Sequence, residues 1–240
     1  MTAPLLETKG LSKRYGGVEA VRDVCFSLAE GELRCLIGPN GAGKSTFFKM
    51  LTGQIAPSSG EVAFRGRRID RLATHEIARL GIGIKTQVPS LFDGLSLREN
   101  LWLGASRHFA GREIAQAADG MLARLHLEPL ADRQVGQLAH GQRQWVELGI
   151  ALLGEPALLL LDEPAAGMTQ DETVRTAELI REINRTHAIV VVEHDMQFVR
   201  SIARTVTVFN QGAVLAEAGI EDILRDPRVR DIYLGRQAAA

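Results

Sequence analysis

The sequence predicts an α/β fold built on a mostly parallel sheet, with an antiparallel β part near the N-terminus and a block of helices inserted in the middle. Three observations carry this. Residues 33–37, 158–161 and 188–192 are apolar almost throughout, as strands buried on both faces are. After residue 155, strand-like and helix-like patterns alternate, the rhythm of parallel strands joined by crossover helices. Near the start, Asp23, Cys25 and Ser27 alternate with Val24, Phe26 and Leu28, the pattern of a half-buried antiparallel strand.

The elements follow in order. Residues 5–8 and 21–28 read as strands, with Lys13-Arg14-Tyr15-Gly16-Gly17 as the turn region between them. Residues 33–37 form a strand, residues 47–51 a helix, and Gly53 stops it. After the turn Pro57-Ser58-Ser59-Gly60 comes a short strand, residues 61–64. Arg65, Arg67, Arg68 and Arg71 then read as a solvated basic hairpin. Thr74 is expected to cap a helix over 75–80. From 88 to 155 the period is helical: Ile114, Ala118, Met121, Leu122 and Leu125 recur at that spacing, as do Trp145, Leu148, Ile150 and Leu152. The strand at 158–161 ends in Asp162-Glu163. An amphipathic helix at 171–183 is expected to bury Val174, Ala177, Ile180 and Ile183. The strand at 188–192 ends in Glu193-His194-Asp195. A helix at 196–203, a strand at 206–209, a Gln211-Gly212 hairpin into 213–216 and two short helices ending near Tyr233 complete the chain.

Composition sets limits. The chain has 240 residues, enough for a substantial core. Its formal net charge of −1 gives no electrostatic case for nucleic acid. Cys25 and Cys35 lack metal spacing and read as buried, inert thiols. Residues 1–10 show no signal-peptide pattern, and no apolar run approaches a membrane span. The expectation is a soluble cytoplasmic protein that reaches any membrane through a partner.

The chemistry gathers at Gly38-Pro39-Asn40-Gly41-Ala42-Gly43-Lys44-Ser45-Thr46. A strand enters this stretch and a helix leaves it, with the glycine, lysine and serine spacing of a P-loop. Glycines let backbone N–H groups curl round a phosphate chain, and the helix start adds its unpaired N–H groups and positive dipole end. Lys44 can reach the outer phosphates, and the Ser45 hydroxyl can take one Mg²⁺ position. The bound ligand is therefore expected to be a nucleoside triphosphate with Mg²⁺. Asp162, at a buried strand's end, suits Mg²⁺. Glu163 beside it suits a general base toward an attacking water. His194, at the end of another strand, is placed to meet the terminal phosphate.

Taken together these residues resemble the ATP-binding cassette (ABC) family over nearly the whole chain. Gly38 to Thr46 resembles Walker A, and Asp162-Glu163 resembles Walker B with its base. Tyr15 matches the aromatic that stacks on adenine and Gln87 the glutamine that senses Mg²⁺ and the water. Leu138-Ala139-His140-Gly141-Gln142 matches the signature motif, and His194 matches the switch histidine. The resemblance implies an ATPase with ATP and Mg²⁺ as ligands. It also implies a nucleotide-binding core of residues 1–87 and 156–240, and a helical signature subdomain of residues 88–155. A helix opened by Gly141 presents a second anion site. In the family that site takes the ATP held by a second ATPase subunit, so two cassettes close on two ATP molecules as a homo- or heterodimer. Permease subunits, and through them a solute-binding protein, are the implied partners, at the cytoplasmic face of the membrane. Leu91, Phe92, Leu95 and Trp102 are candidates for the groove that docks the permease.

Three positions depart from the family pattern: Ala139 stands where serine is usual, His140 where glycine is, and Thr169 where aspartate is. This combination is similar to the ATPases of bacterial importers for branched-chain amino acids and urea. Residues 138–145, 192–196 and 229–236 look most like one ATPase subunit of the urea importer. Urea or short amides are thus the expected cargo, with branched-chain amino acids or lipid export as alternatives. A soluble ABC protein acting on DNA or ribosomes fits poorly with one cassette and near-neutral charge. A module that closes without turnover is opposed by Glu163 and favoured only by Ala139.

Overall fold

The computed structural model describes residues 3–86 and 91–234. Strands β1 (Leu6–Tyr15) and β2 (Val18–Leu28) form a long hairpin. With β4 (Ser59–Phe64) and the two-residue β5 (Arg67–Arg68) they make an antiparallel sheet ordered β2-β1-β4-β5. The second sheet is built from β3 (Leu33–Ile37), β6 (Ile82–Lys85), β7 (Leu158–Asp162), β8 (Ala188–Val192), β9 (Thr205–Asn210) and β10 (Ala213–Gly219). Its order is β10-β9-β3-β8-β7-β6. All neighbours are parallel except β10, which turns back on β9 through Gln211-Gly212.

Helices cover the parallel sheet, because strands apolar on both faces need two layers above them. Helix α1 (Lys44–Leu51) packs on one face against β7 and β8. The others are α2 (Thr74–Arg79), α3 (Leu97–Ala105), α4 (Arg112–Arg124), α5 (His140–Leu152), α6 (Gln170–Ile183), α7 (Met196–Ile202), α8 (Ile220–Arg225) and α9 (Pro227–Leu234). Helices α3, α4 and α5 stand between β6 and β7 in the chain, where the helical insert was expected.

The four leucines of β7 divide between two cores. Leu159 and Leu161 join the helices α3 to α7. Leu158 and Leu160 join α1 and the antiparallel sheet. Phe47 of α1 seals the second core, with its ring 5.7 Å from Phe26 of β2 and 5.1 Å from Phe209 of β9. The two sheets therefore share one aromatic cluster.

Four details correct the sequence reading. Cys25 is exposed, not buried. It lies on the outward face of β2, whose buried positions are Val21, Val24, Phe26 and Leu28. Val174 is 53% exposed; the buried stripe of α6 runs through Thr176, Ala177, Leu179, Ile180 and Ile183 instead. Thr74 is the first residue of α2, not its cap; Ala73 takes that place, and the Glu76 carboxylate accepts the Ala73 N–H at 2.8 Å. Helix α5 begins at His140, one residue before Gly141. The basic hairpin is solvated as expected, with Arg65 paired to Glu30 and Arg68 to Glu61 and Asp70.

Leu160 is fully buried in the centre of β7. Leu160→Ala is expected to cost about 2–5 kcal/mol of stability, read from the midpoint of urea unfolding.

Candidate active site

The loop from Gly38 to Gly43 links the central strand β3 to α1, and its course is set by two glycines without room for a side chain. Gly38, at φ +148°, would place a Cβ 2.2 Å from the carbonyl oxygen of Phe209. Gly43, at φ +101°, would place one 2.5 Å from the carbonyl oxygen of Ala20. The loop is thus pressed between β2 and β9. Within it the Ala42 N–H donates to the Pro39 carbonyl at 3.1 Å, and the Gly212 N–H donates to the Ala42 carbonyl at 3.0 Å. Asn40 and Gly41 are exposed at its crest, and Pro39 is half-buried.

Helix α1 starts with no side-chain cap at Gly43 and no acid in its first turn. Its leading N–H groups and positive end therefore face the loop, the arrangement that takes an anion. The Lys44 ammonium is folded back into the same loop, donating to the carbonyls of Gly38 at 2.6 Å and Pro39 at 3.1 Å. Ser45 is exposed and Thr46 half-buried, one and two residues into the helix.

Two neighbouring strands bring the acids. Asp162 ends β7, and Glu163 follows it at φ +46°, a left-handed backbone that turns the chain sharply off the strand. The Glu163 N–H donates to the Val192 carbonyl at 2.9 Å, locking this turn to the end of β8. His194 follows β8, and its Nδ1 lies 3.4 Å from Glu163 Oε1. Burial, followed by the charge of Glu163, raises the Asp162 carboxyl above the ordinary range, with the lysines Lys85 and Lys49 opposing. An acid held this way is short of cationic partners and gains from a metal ion.

Glu193 is the residue that sequence reading passed over. Its carboxylate is buried. Its Oε2 accepts the N–H groups of His194 at 2.9 Å and Asp195 at 3.3 Å, and its Oε1 accepts that of Ala165 at 3.4 Å. Burial, and after it the charge of the same carboxylate, pushes the Cys35 thiol well above its usual range; Cys35 is the inert buried thiol expected.

Tyr15 is half-exposed at the tip of the β1–β2 hairpin, on the strand pair that Gly43 packs against. Ala139 is the N-cap of α5 and offers no side-chain cap; its own N–H is accepted by Gln142 Oε1 at 3.1 Å. His140 Nε2 hydrogen bonds with the Ala166 carbonyl at 3.0 Å, and Gly141 lies against the Glu172 carboxylate. The start of α5 is thus joined to the loop that follows Glu163. Thr169 caps α6, its hydroxyl accepting the Glu172 N–H. Gln87 lies outside the described residues. Among the described residues no three or more His, Cys, Asp or Glu side chains gather as a metal cage.

A loop of this shape, opening on an uncapped helix with acids at the ends of the neighbouring parallel strands, defines a P-loop nucleoside triphosphatase. The chain belongs to the ABC transporter family, whose model matches residues 21–166. It is 38% identical over 253 residues to the high-affinity branched-chain amino acid transport ATP-binding protein BraF of Pseudomonas aeruginosa, spanning 98% of this chain and 99% of that one. The lipopolysaccharide export ATP-binding protein LptB of Acidithiobacillus ferridurans is 35% identical, over 97% of this chain and 98% of that one. Among solved structures, the ADP conformation of the cassette MJ1267 superposes with a TM-score of 0.88 at 28% identity, covering 98% of this chain and 100% of that one. A dimeric cassette, MJ0796, bound to ADP and Pi, gives 0.79 at 26% identity, covering 90% and 98%. The chain is therefore an ABC ATPase.

Two outcomes test this geometry. Gly43→Ala forces a Cβ against the Ala20 carbonyl and is expected to abolish binding of a fluorescent ATP analogue. Asp162→Asn removes an ionisation that the fold disfavours. Since the native carboxyl holds its proton more tightly than the unfolded one, ionised Asp162 destabilises the fold as pH rises above the ordinary carboxylate range. The variant should melt higher than the parent at neutral pH. That advantage should vanish below about pH 4, where the acid is protonated in both states.

Proposed function

We propose that this chain is the ATP-hydrolysing, energy-coupling subunit of a bacterial importer, with branched-chain amino acids as cargo in preference to urea. The observation that carries the import reading is the match to BraF along essentially the full length of both chains. The urea reading rests on the likeness of residues 138–145, 192–196 and 229–236, and it is the second reading. No residue of this chain is expected to touch cargo.

In this reading the Gly38–Thr46 loop and the α1 start hold the phosphates of ATP, and Tyr15 supports the adenine. Lys44 turns from the Gly38 and Pro39 carbonyls to the outer phosphates. The Ser45 hydroxyl and Asp162 would hold Mg²⁺, which would supply positive charge to the phosphates; Gln87, outside the described residues, is the glutamine that the family resemblance assigns to the same ion. Glu163 takes the proton of the attacking water. His194, 3.4 Å from Glu163, orients that acid and meets the terminal phosphate. The start of α5, residues 139–142, caps the nucleotide of a second ATPase subunit, so ATP closes a dimer. The helical block, residues 88–155, is the part that meets the permease. Phe92 and Trp102, both exposed, suit that contact better than Leu91 and Leu95, which are partly buried. No helix among the described residues is long and apolar enough to cross a membrane, so the membrane place of this chain comes through those subunits.

The test is to tag the chain, purify it from native membranes and identify what accompanies it. Two polytopic subunits and a second ATPase are expected; ribosomes or DNA instead would overturn the transport reading. Reconstituted with its solute-binding protein, the complex should hydrolyse ATP faster with leucine than with urea, and the reverse order would restore urea. Glu163→Gln should retain ATP binding and lose turnover by about 10²–10⁴-fold; robust turnover would remove Glu163 as the base.

A further inference from the structure

His140 stands where the ABC family usually has glycine, and its side chain has a partner that a glycine could not reach. The ring sits at the start of α5, with Nε2 3.0 Å from the carbonyl oxygen of Ala166. A carbonyl only accepts, so Nε2 carries the ring proton and donates it. Gln144, one turn further along α5 and buried, lies against the same nitrogen at 3.2 Å. A ring N–H cannot accept, so the Gln144 amide suits this place with its oxygen toward the ring. That oxygen otherwise has no hydrogen bond among the described residues. Gly167 gives the ring its room: at φ +71°, a Cβ there would stand 3.2 Å from Nε2.

Ala166 belongs to the turn that carries Glu163. Its N–H donates to the Glu163 carbonyl at 3.2 Å, closing residues 163–166 on themselves. The Ala165 N–H donates to the Glu193 carboxylate beyond β8. The turn is thus gripped from two sides, by Glu193 and, from α5, by His140. A non-glycine residue at φ +46°, as Glu163 is, persists where its surroundings hold it there. We propose that His140 is a positioning residue for ATP hydrolysis: it holds the Ala166 carbonyl so that the Glu163 carboxylate of its own chain is aimed at the attacking water. The inference rests on Glu163 as the base and adds the residue that aims it. It gives the start of α5 a task inside its own chain, apart from the nucleotide of a second subunit. A base must lie within hydrogen-bond reach of the proton it takes, and a misplacement of about 1 Å costs on the order of 10²-fold in rate. Glu193 and the bond within the turn remain without His140, so the turn should loosen and not unfold.

The experiment compares His140→Phe, which keeps a ring beside Gly167 but has no N–H, with His140→Gln, whose amide N–H can take the place of the ring's. The turnover that Glu163→Gln abolishes, in the complex purified through the tagged chain, measures the share due to this base. His140→Phe should lower that share about tenfold or more, with KM for ATP within about twofold of the parent. His140→Gln should restore most of it. In the nucleotide-free chain, where no second site is capped, hydrogen exchange at the amides of residues 165–168 should be faster in His140→Phe than in the parent. The melting temperature should not change, because His140 is exposed. Unchanged kcat would overturn the inference, and so would unchanged exchange. A raised KM with kcat retained would make His140 a nucleotide contact and overturn it too, as would a His140→Gln protein as slow as His140→Phe. Robust turnover by Glu163→Gln would remove the base and this inference with it. A Glu163→Gln protein without turnover beside a fully active His140→Phe would leave the base standing and remove only the part assigned to His140.

Discussion

A single buried carboxylate holds the catalytic end of this protein together. Glu193 gathers backbone N–H groups from its own turn and from Ala165, which follows Glu163. The ends of β7 and β8 are thereby joined beyond the last ladder bond between Asp162 and Val192. Besides that tie, Glu163 leaves β7 on a left-handed turn with its own N–H on the Val192 carbonyl and the Ala166 N–H on its carbonyl. The apposition of Glu163 and His194 depends on it. A charged acceptor shared by three amides is a strong anchor in a low-dielectric interior.

The helix starts divide in the same way between those already satisfied and those held open. Ser96, Thr169 and Asp195 cap α3, α6 and α7 with their side chains. Helices α1 and α5 have neither a side-chain cap nor an acid in the first turn. They begin at the P-loop and at residues 139–140. Each open helix end forgoes the stabilisation that a cap supplies, about 1 kcal/mol. Helices α2, α4 and α8 forgo a side-chain cap too but carry an acid in the first turn; α1 and α5 forgo both, at the two places where the proposed reading puts an anion.

Much of this was legible in the sequence, because the signals are local. A strand, a glycine turn and a helix lie in one continuous stretch, and the residues 158–161 are apolar enough to place Asp162 at a buried edge. Cys25 is exposed because the alternation of β2 places it with Asp23 and Ser27 on the outer face, although the run around it is apolar. Val174 lies outside the buried stripe because α6 turns Thr176, Leu179 and Ile183 inward, against α7 among others. Glu193 was invisible in its role: an acid after five apolar residues looks like any strand end, and only the fold brings Ala165 to it. The tie from His140 escaped for the same reason, since Ala166 lies 26 residues further along the chain.

The division of the β7 leucines between two cores has a further consequence. Because both faces of this strand are equally apolar, sliding it by one residue against its neighbours would bury nearly the same surface. The oily pattern that makes the strand easy to recognise does nothing to fix its alignment. Such a slip would nevertheless exchange the faces of every side chain and swing Asp162 from the α1 side to the helical side. The alignment must therefore come from what is not oily: the Glu163 amide on Val192, the Glu193 clasp, and Gly83 on β6. A Cβ at Gly83 would press on the Ala151 carbonyl and the Leu159 side chain. Errors in this protein are thus expected to be silent in the amount of surface buried and loud in catalysis, a misassembly that folds, stays compact and carries Asp162 on the wrong face.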